Sequence, residues 1–235
     1  MKRRRATAAQ RLRPFWLLIA LVALLCLAGG YFLATWPALR PHRVEVVGNR
    51  VVSESAILQS AQIDYGENMW LQNAHGMAAR IEAIPYIDSA SIRRMLPSTL
   101  VITVTERAPY ALIVDGGSLV TVDHTLRVLQ QGVPLGMEDA LPAFSVGLSD
   151  APPLVGILDA LLAADLKPRT IGFDRFGDVT VTLRSGIRVL LGDRSGSVQK
   201  VEYIKPILDK VDRGPRKVAA IDLRALTTPV VVYAK

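Results

Sequence analysis

Hydrophobic and polar positions divide the chain into stretches with different periods. Pro14 to Leu39 holds 26 residues without a charge. That is ample for a bilayer core about 30 Å thick, which needs roughly 20 apolar helical residues. Trp16 stands at one end, with Tyr31 and Trp36 near the other, where amphipathic rings favour the headgroup zone. Past this run the pattern shortens. His42 to Val47 reads as a strand closed by the turn pair Gly48-Asn49. Ser53 and Asn73 stand where helix caps belong. Ile57 and Ala61 mark the inner face of the first helix, and Met77, Ile81 and Ile84 that of the second, with Gly66-Glu67-Asn68 between them and Pro85 as a stop. Ile87 to Arg94 reads as extended, Pro97-Ser98 turns the chain, and Leu100 to Thr105 alternates apolar with smaller or polar residues. The order is β-α-α-β-β. Neither helix is long enough to stand alone in water, so both are expected to lie on one face of a three-stranded sheet.

Beyond Pro109 the pattern predicts short strands at Ala111–Val114, Leu119–Val122 and Leu126–Leu129, with Gly132 to Asp139 as loop. A helix is predicted from about Pro153 to Ala164, capped by Asp150 and presenting Leu154, Leu158, Leu161 and Leu162. Val179–Leu183 and Ile187–Leu191 form a hairpin around Ser185-Gly186. A last helix is expected over Ser197–Asp212, with Val198, Val201, Ile204, Leu208 and Val211 on one stripe and a kink at Pro206. Val218–Leu223 and Val230–Tyr233 close the chain as strands. The short connections favour mixed or antiparallel pairing.

Charge decides which side of a membrane each part occupies. The first 13 residues carry six cations (Lys2, Arg3, Arg4, Arg5, Arg11, Arg13) and no anion, whereas only Arg40 and Arg43 follow the apolar run closely. This asymmetry predicts a cytoplasmic head and an exported remainder. The apolar run is too long for a cleaved signal, and Leu24-Leu25 before Cys26 do not fit a lipoprotein signal. A retained anchor is expected. Setting the six head cations aside, 22 Lys and Arg face 21 Asp and Glu. The exported part is therefore nearly neutral, which disfavours a nucleic-acid partner. Cys26 is the only cysteine, so the exported part folds without disulfides.

Candidate chemistry is sparse. There is no phosphate-cradling loop, dinucleotide turn or zinc pattern. His42, His75 and His124 fall in separate units without ligand spacing. Ser197-Val198-Gln199-Lys200 matches the Ser-x-x-Lys pair of penicillin-binding enzymes, but the companion Ser-Asp-Asn and Lys-Thr-Gly elements are missing. Ser197 reads better as a helix cap. Asp222 and Arg224 read as an ion pair that fixes a strand, or as a docking charge in Arg224. No catalytic, cofactor or metal residue is expected, nor a small-molecule substrate.

Several strings taken in order do carry a resemblance. They are Val44-Glu45-Val46-Val47-Gly48-Asn49, Gly66-Glu67-Asn68, Pro85-Tyr86-Ile87, Ala90-Ser91-Ile92-Arg93-Arg94, Leu96-Pro97-Ser98-Thr99-Leu100 and Ile102 through Ala111. Val122-Asp123, Leu191-Gly192-Asp193 and Ile221-Asp222-Leu223-Arg224 follow. With the basic head and single anchor, the chain resembles the FtsQ/DivIB bacterial division proteins. Thr125 departs from the glycine that the family often has there, which bears on the turn geometry.

The resemblance implies an α+β protein: a single N-terminal transmembrane helix, a β-α-α-β-β POTRA domain, and a C-terminal α+β domain with a mixed or antiparallel sheet ending in an edge strand. The boundaries expected are a basic head 1–13, the transmembrane helix 14–36, a linker 37–41, the POTRA domain 42–110 and the C-terminal domain 111–235. It also implies a non-enzymatic, single-pass scaffold in the inner membrane at the division septum, with its folded domains periplasmic. An upstream divisome component would act on the POTRA domain. FtsB/FtsL-like bitopic coiled-coil proteins would dock on the last strand through Val230, Val231, Val232 and Tyr233, with Arg224 supplying a charged contact. Beyond these, only membrane lipid is an expected partner. The alternative weighed is a POTRA-containing adaptor of envelope assembly or secretion.

Overall fold

The computed structural model describes residues 8–211 and 217–234; the expectation for the head, 1–13, falls largely outside them, as does Asp212 at the end of the last helix. Helix α1 (Ala8–Thr35) contains a 20-residue span, Trp16–Thr35, of mean hydropathy 2.5 with none of it buried in the protein. A helix that is apolar on all sides suits an apolar solvent, and this one is long enough to cross a membrane. The chain then divides into two compact units, 1–106 and 107–235.

In the first unit, β1 (Arg43–Val47) is followed by α2 (Glu54–Ala61), α3 (Ala74–Glu82), β2 (Ile87–Met95) and β3 (Thr99–Glu106). β3 lies between its neighbours, parallel to β1 and antiparallel to β2. Both predicted caps form: Ser53 Oγ accepts from Ala56 N–H at 3.3 Å and Asn73 Oδ1 from Gly76 N–H at 2.9 Å. Ile57, Ala61 and Ile81 then meet Ile87, Ile102 and Val104 in a closed core. The Glu106 carboxylate ends β3 and accepts the amides of Arg50, Val51 and Val52 at 2.8–3.1 Å. Burial pushes its pKa up, but those three bonds outweigh burial and leave it low.

The second unit is built on nine strands. These are β4 (Ala111–Asp115), β5 (Ser118–Val122), β6 (Val128–Gln131), β7 (Ala143–Phe144), β8 (Pro168–Phe173), β9 (Val179–Leu183), β10 (Arg188–Gly192), β11 (Val218–Asp222) and β12 (Val230–Tyr233), with the spatial order β12-β11-β10-β9-β8-β7-β4-β5-β6. Helix α4 (Pro152–Ala163) precedes β8, and α5 (Ser197–Lys200) and α6 (Ile204–Val211) precede β11. Leu154, Ile157, Leu158 and Leu161 of α4 are buried with Ile113, Phe144, Ile171, Val181 and Ile221 of the sheet.

Several expectations are corrected here. Asp150 does not cap α4; Ala151 holds that position without a side-chain bond. Pro152 opens the helix with no N–H, which leaves one donor fewer to cap. Leu162 is exposed rather than core. The last helix is not one kinked rod. A 3-10 turn at Val201–Tyr203 separates α5 from α6, so Pro206 falls in the first turn of α6, where its missing N–H costs little. Val198 accordingly sits outside the stripe, half exposed. Strands β7 and β8 were not foreseen. β8 contains Gly172, where a Cβ would stand 1.8 Å from Ser145 Oγ, so glycine is the residue that admits β7's exit beside it. At the Thr125 turn the left-handed residue is Leu126, with φ 64°. Thr125 needs no glycine there, because its N–H and Oγ both donate to Asp123 Oδ1, at 2.8 and 2.7 Å.

Asp123 also accepts from Arg107 Nη1 at 2.7 Å and from Arg127 N–H at 2.9 Å, with its side chain 6% exposed. Burial pushes its pKa up, yet the Thr125, Arg107 and Arg127 bonds together leave it below the ordinary carboxylate value. A lowered folded pKa means that the stabilisation is complete above the ordinary value and is lost as pH falls through the folded one. Asp123→Asn is expected to cost about 3 kcal/mol at neutral pH and to flatten the acid limb of the stability curve. Urea melts at a series of pH values check this; an unchanged acid limb would refute the assignment.

Candidate functional site

The closing strand β12 stands at one border of the nine-stranded sheet, where among the described strands it pairs with β11 alone. The register joins Val230 to Asp222, Val231 to Ile221, Val232 to Ala220 and Tyr233 to Val218, and Ala234 N–H continues the ladder to the Lys217 carbonyl at 2.8 Å. One row of β12 backbone groups therefore faces no strand. Val230 is 53% exposed, Val232 49% and Tyr233 42%, while Val231 is half-buried.

Strand alternation sorts these side chains by face. Val231 and Tyr233 join Pro229 and the α6 residues Ile207, Lys210 and Val211 in lining an open groove of about 390 Å³. Val230 and Val232 belong to the opposite face. An apolar strand with open backbone groups and a groove at its flank has the features to which an extended segment of another chain can add. Of the groove residues on α6, only Val211 belongs to the stripe that the sequence predicts; Ile207 and Lys210 lie outside it, and nothing in the sequence signals that this end of the helix stays uncovered.

The remaining described borders are built differently. At β6, Leu129 is buried and Gln131 shows. At β1, Arg43 pairs with Glu45 at 2.9 Å. At β2 the exposed positions include Asp88, Ser89, Ser91 and Arg93. Polar or charged borders of this kind discourage association between strands. β12 lacks that protection: Pro229 precedes it, but Val230, Val232 and Tyr233 lie open.

Two strings far apart in sequence meet beside this border. β10 and β11 run parallel, and Gly192 at the end of β10, with φ 80°, lies under Arg224, such that a Cβ there would come 3.1 Å from Arg224 Cγ and 3.2 Å from its Cα. Arg224 reaches back over the chain to Asp222, with Nη2 to Oδ2 at 2.7 Å and Nε to both oxygens at 3.1 Å. The Arg224 hydrogen bond, aided by its charge, lowers the Asp222 pKa and raises that of Arg224. Arg224 is thus an ion-paired residue just past β11, half exposed, with part of its guanidinium turned to solvent.

The Ser-x-x-Lys string is spent on structure. Gly196, not Ser197, is the cap residue of α5. Ser197 is fully buried, and its Oγ donates to the Asp193 carbonyl at 2.5 Å. Lys200 Nζ donates to the carbonyls of Leu191 at 2.5 Å and Arg224 at 3.1 Å. Both bonds tie the side chain to main-chain carbonyls, and it makes no contact with Ser197 Oγ, which donates to Asp193. The sequence missed this role of Lys200, since a lysine on a helix ordinarily reads as solvated. Among the histidines, His124 Nε2 contacts Asp159 Oδ2 at 2.9 Å, and Tyr110 OH donates to the other oxygen at 2.8 Å. Among the described residues no three His, Cys, Asp or Glu gather in a way that could hold a metal.

Comparison with known proteins places both units. Residues 39–107 match the POTRA domain, FtsQ-type, and residues 111–224 match the C-terminal domain of the cell division protein FtsQ/DivIB. The cell division protein FtsQ of Streptomyces venezuelae is 28% identical over 230 residues, which cover 91% of this chain and 82% of that protein. FtsQ of Syntrophotalea carbinolica is 37% identical over 39% of this chain and 32% of its own length. The cell division protein DivIB of Clostridium tetani is 29% identical over 49% of this chain and 41% of its own.

Lys200 hydrogen-bonds the end of β10 to the segment leading into β12. Lys200→Met keeps the stem and removes the donor. It is expected to cost about 2 kcal/mol in urea unfolding, and to speed hydrogen exchange across 217–234 as read by mass spectrometry. Unchanged exchange in that segment would show that the border does not depend on the lysine.

Proposed function

The chain belongs to the FtsQ/DivIB family of membrane-anchored, non-enzymatic cell-division proteins, and from that premise we propose that it is a scaffold of the divisome that captures partner proteins on its closing strand. The proposed organisation is a basic head 1–13, an anchor 14–36, a linker 37–41, a POTRA domain 42–110 and a partner-binding domain 111–235. The head is cytoplasmic, in keeping with its six cations, and the folded units are periplasmic, held at the inner membrane of the septum. The POTRA domain takes an upstream division component. FtsB/FtsL-like coiled-coil proteins supply the strand that pairs with β12.

The observation that supports this reading is the character of the β12 border. Among the described strands at sheet borders, it alone combines unpaired backbone groups with three large exposed apolar residues, Val230, Val232 and Tyr233. Strand addition would satisfy the backbone row, and alternate side chains would give specificity. Tyr233 is the anchor, offering a large area with only two rotatable bonds to restrain, and its neighbour Val231 fills the groove floor beside it. Arg224 adds the charged contact from its solvent-facing edge. The relatives are named as division proteins, and no observation favours the alternative of an assembly or secretion adaptor.

Tyr233→Asp tests the proposal. A charge at this point is expected to lower capture of the coiled-coil partners on the order of thirtyfold, the equivalent of a hot spot worth about 2 kcal/mol, while the thermal melt stays as in the parent. Undiminished co-purification from detergent would sink the strand-addition reading. Ser197→Ala serves as the contrast: it loses a buried bond, costs about 1 kcal/mol of stability and leaves capture unchanged.

A further inference from the structure

Loop 62–73 of the first unit, between α2 and α3, meets the end of α1. Asn68 is buried there, and its Nδ2 donates to the carbonyls of Leu33 at 3.0 Å and Ala34 at 3.2 Å. These lie in the last turn of α1, where a helix runs short of amide donors. The fully buried Met69 adds a bond from its N–H to the Leu39 carbonyl at 2.9 Å. On the other side, Arg94 of β2 donates Nε to the Met69 carbonyl and Nη2 to the Gln72 carbonyl, both at 2.7 Å, with its guanidinium 5.6 Å from the centre of the Trp70 ring. Within the loop, Asn68 Oδ1 accepts from Trp70 N–H at 2.9 Å, and Gln72 Nε2 donates to the carbonyls of Asp64 and Glu67. The loop is thus braced to the helix, the linker and the sheet. Nevertheless its tip shows Trp70, 49% exposed, and Leu71, 60% exposed.

We propose that this tip is a second membrane contact, in which Trp70 and Leu71 enter the headgroup zone of the leaflet from which α1 emerges. The proposal rests on α1 spanning the bilayer. A span from Trp16 to Thr35 has the length of a bilayer core at about 1.5 Å per residue, which puts Leu33 and Ala34 at its border. A loop within hydrogen-bonding distance of those residues sits at headgroup depth. Tryptophan is the side chain best suited to that depth, with an apolar body and one N–H for the wet side. Arg94, its guanidinium beside that ring, places a positive charge next to the tip, which favours a leaflet rich in phosphates. Arg40, Asp64 and Glu67 border the loop on the helix side around an open pocket of about 420 Å³, giving the apolar tip a polar margin of both signs. Because the loop is already fixed, insertion orders nothing new. The contact sets the pose of the first unit over the bilayer, with anchor and loop as two points of one attachment.

The full chain in vesicles of phosphatidylethanolamine and phosphatidylglycerol provides the test, with spin-labelled lipids as quenchers near the headgroup or deep in the acyl region. Of the three tryptophans, Trp16→Phe with Trp36→Phe leaves Trp70 alone. Its emission is expected to be quenched by the shallow label more than by the deep one, and shielded from acrylamide. Leu71→Asp, a change at an exposed position, is expected to abolish the shallow quenching with the fold intact, and Asn68→Ala to weaken it. Emission untouched by either lipid and open to acrylamide would overturn the proposal, as would shielding that arises only when a soluble protein partner is added. A companion keeping only Trp16 isolates the anchor. If Trp16 escapes lipid quenching, the membrane reading of α1 fails; if Trp16 is quenched and Trp70 is not, the loop proposal alone fails.

Discussion

An open β-sheet must end in two strands, and the outward backbone groups of each find no partner within the sheet. The capture proposed for the second unit hangs on how those two ends are treated. At β6 the chain turns a leucine inward and shows glutamine. At β12 it shows two valines and a tyrosine beside a groove. Each exposed apolar group left in water forgoes about 25 cal/mol per Å² of burial, and the bare backbone row invites any extended chain. The proposed partner strand would cover both the apolar side chains and the backbone row.

That border must also hold still. β12 hangs on β11 alone, and β11 is fixed by its parallel pairing with β10. A parallel pair is slightly less stable than an antiparallel one and cannot be closed by a hairpin. Lys200 compensates by donating to a carbonyl at the end of β10 and to another just past β11. Arg224 packs over Gly192 while paired with Asp222. A buried ammonium without these acceptors would be costly, so the same charge that rigidifies the border also penalises any alternative placement of it. The proposed docking charge and the structural one are therefore neighbours: Arg224 contributes its main-chain carbonyl inward and part of its guanidinium outward.

What the sequence revealed follows the range of the physics involved. Ser53 and Asn73 were legible as caps because a cap is settled within three residues. The alternation Leu100 to Thr105 was legible because it lies beside helices on one face only. β7 and β8 were not. A two-residue strand held by parallel neighbours on both sides has no local signal, and Pro168 and Gly172 lower the strand propensity of β8. The last helix misled because Val198 through Val211 spell one stripe at helical spacing, whereas the chain tightens at Val201–Tyr203. At the site, the apolar run of β12 was visible, but Val-Val-Val serves equally as a central or a border strand. Its place is a property of topology. Lys200 and Asn68 were invisible for a related reason: each bonds carbonyls that lie near it only after folding.

Asn68 also bears on how force or position passes between the membrane and the first unit. A helix joined to a domain by a free linker transmits neither, since each rotatable residue of the linker absorbs part of any tilt. Here Pro37–Leu39 is a 3-10 turn, stiffened by proline; Asn68 bonds to residues before it and Met69 to its last residue, Leu39. Helix end, linker and loop thus share a closed ring of hydrogen bonds within one unit. Rotating α1 relative to the β3-centred sheet would break the Asn68 and Met69 bonds in a setting where Asn68 is nearly excluded from water, and their loss would not be made good by solvent. The end of the anchor is consequently tied to the loop, and the loop through Arg94 to the sheet.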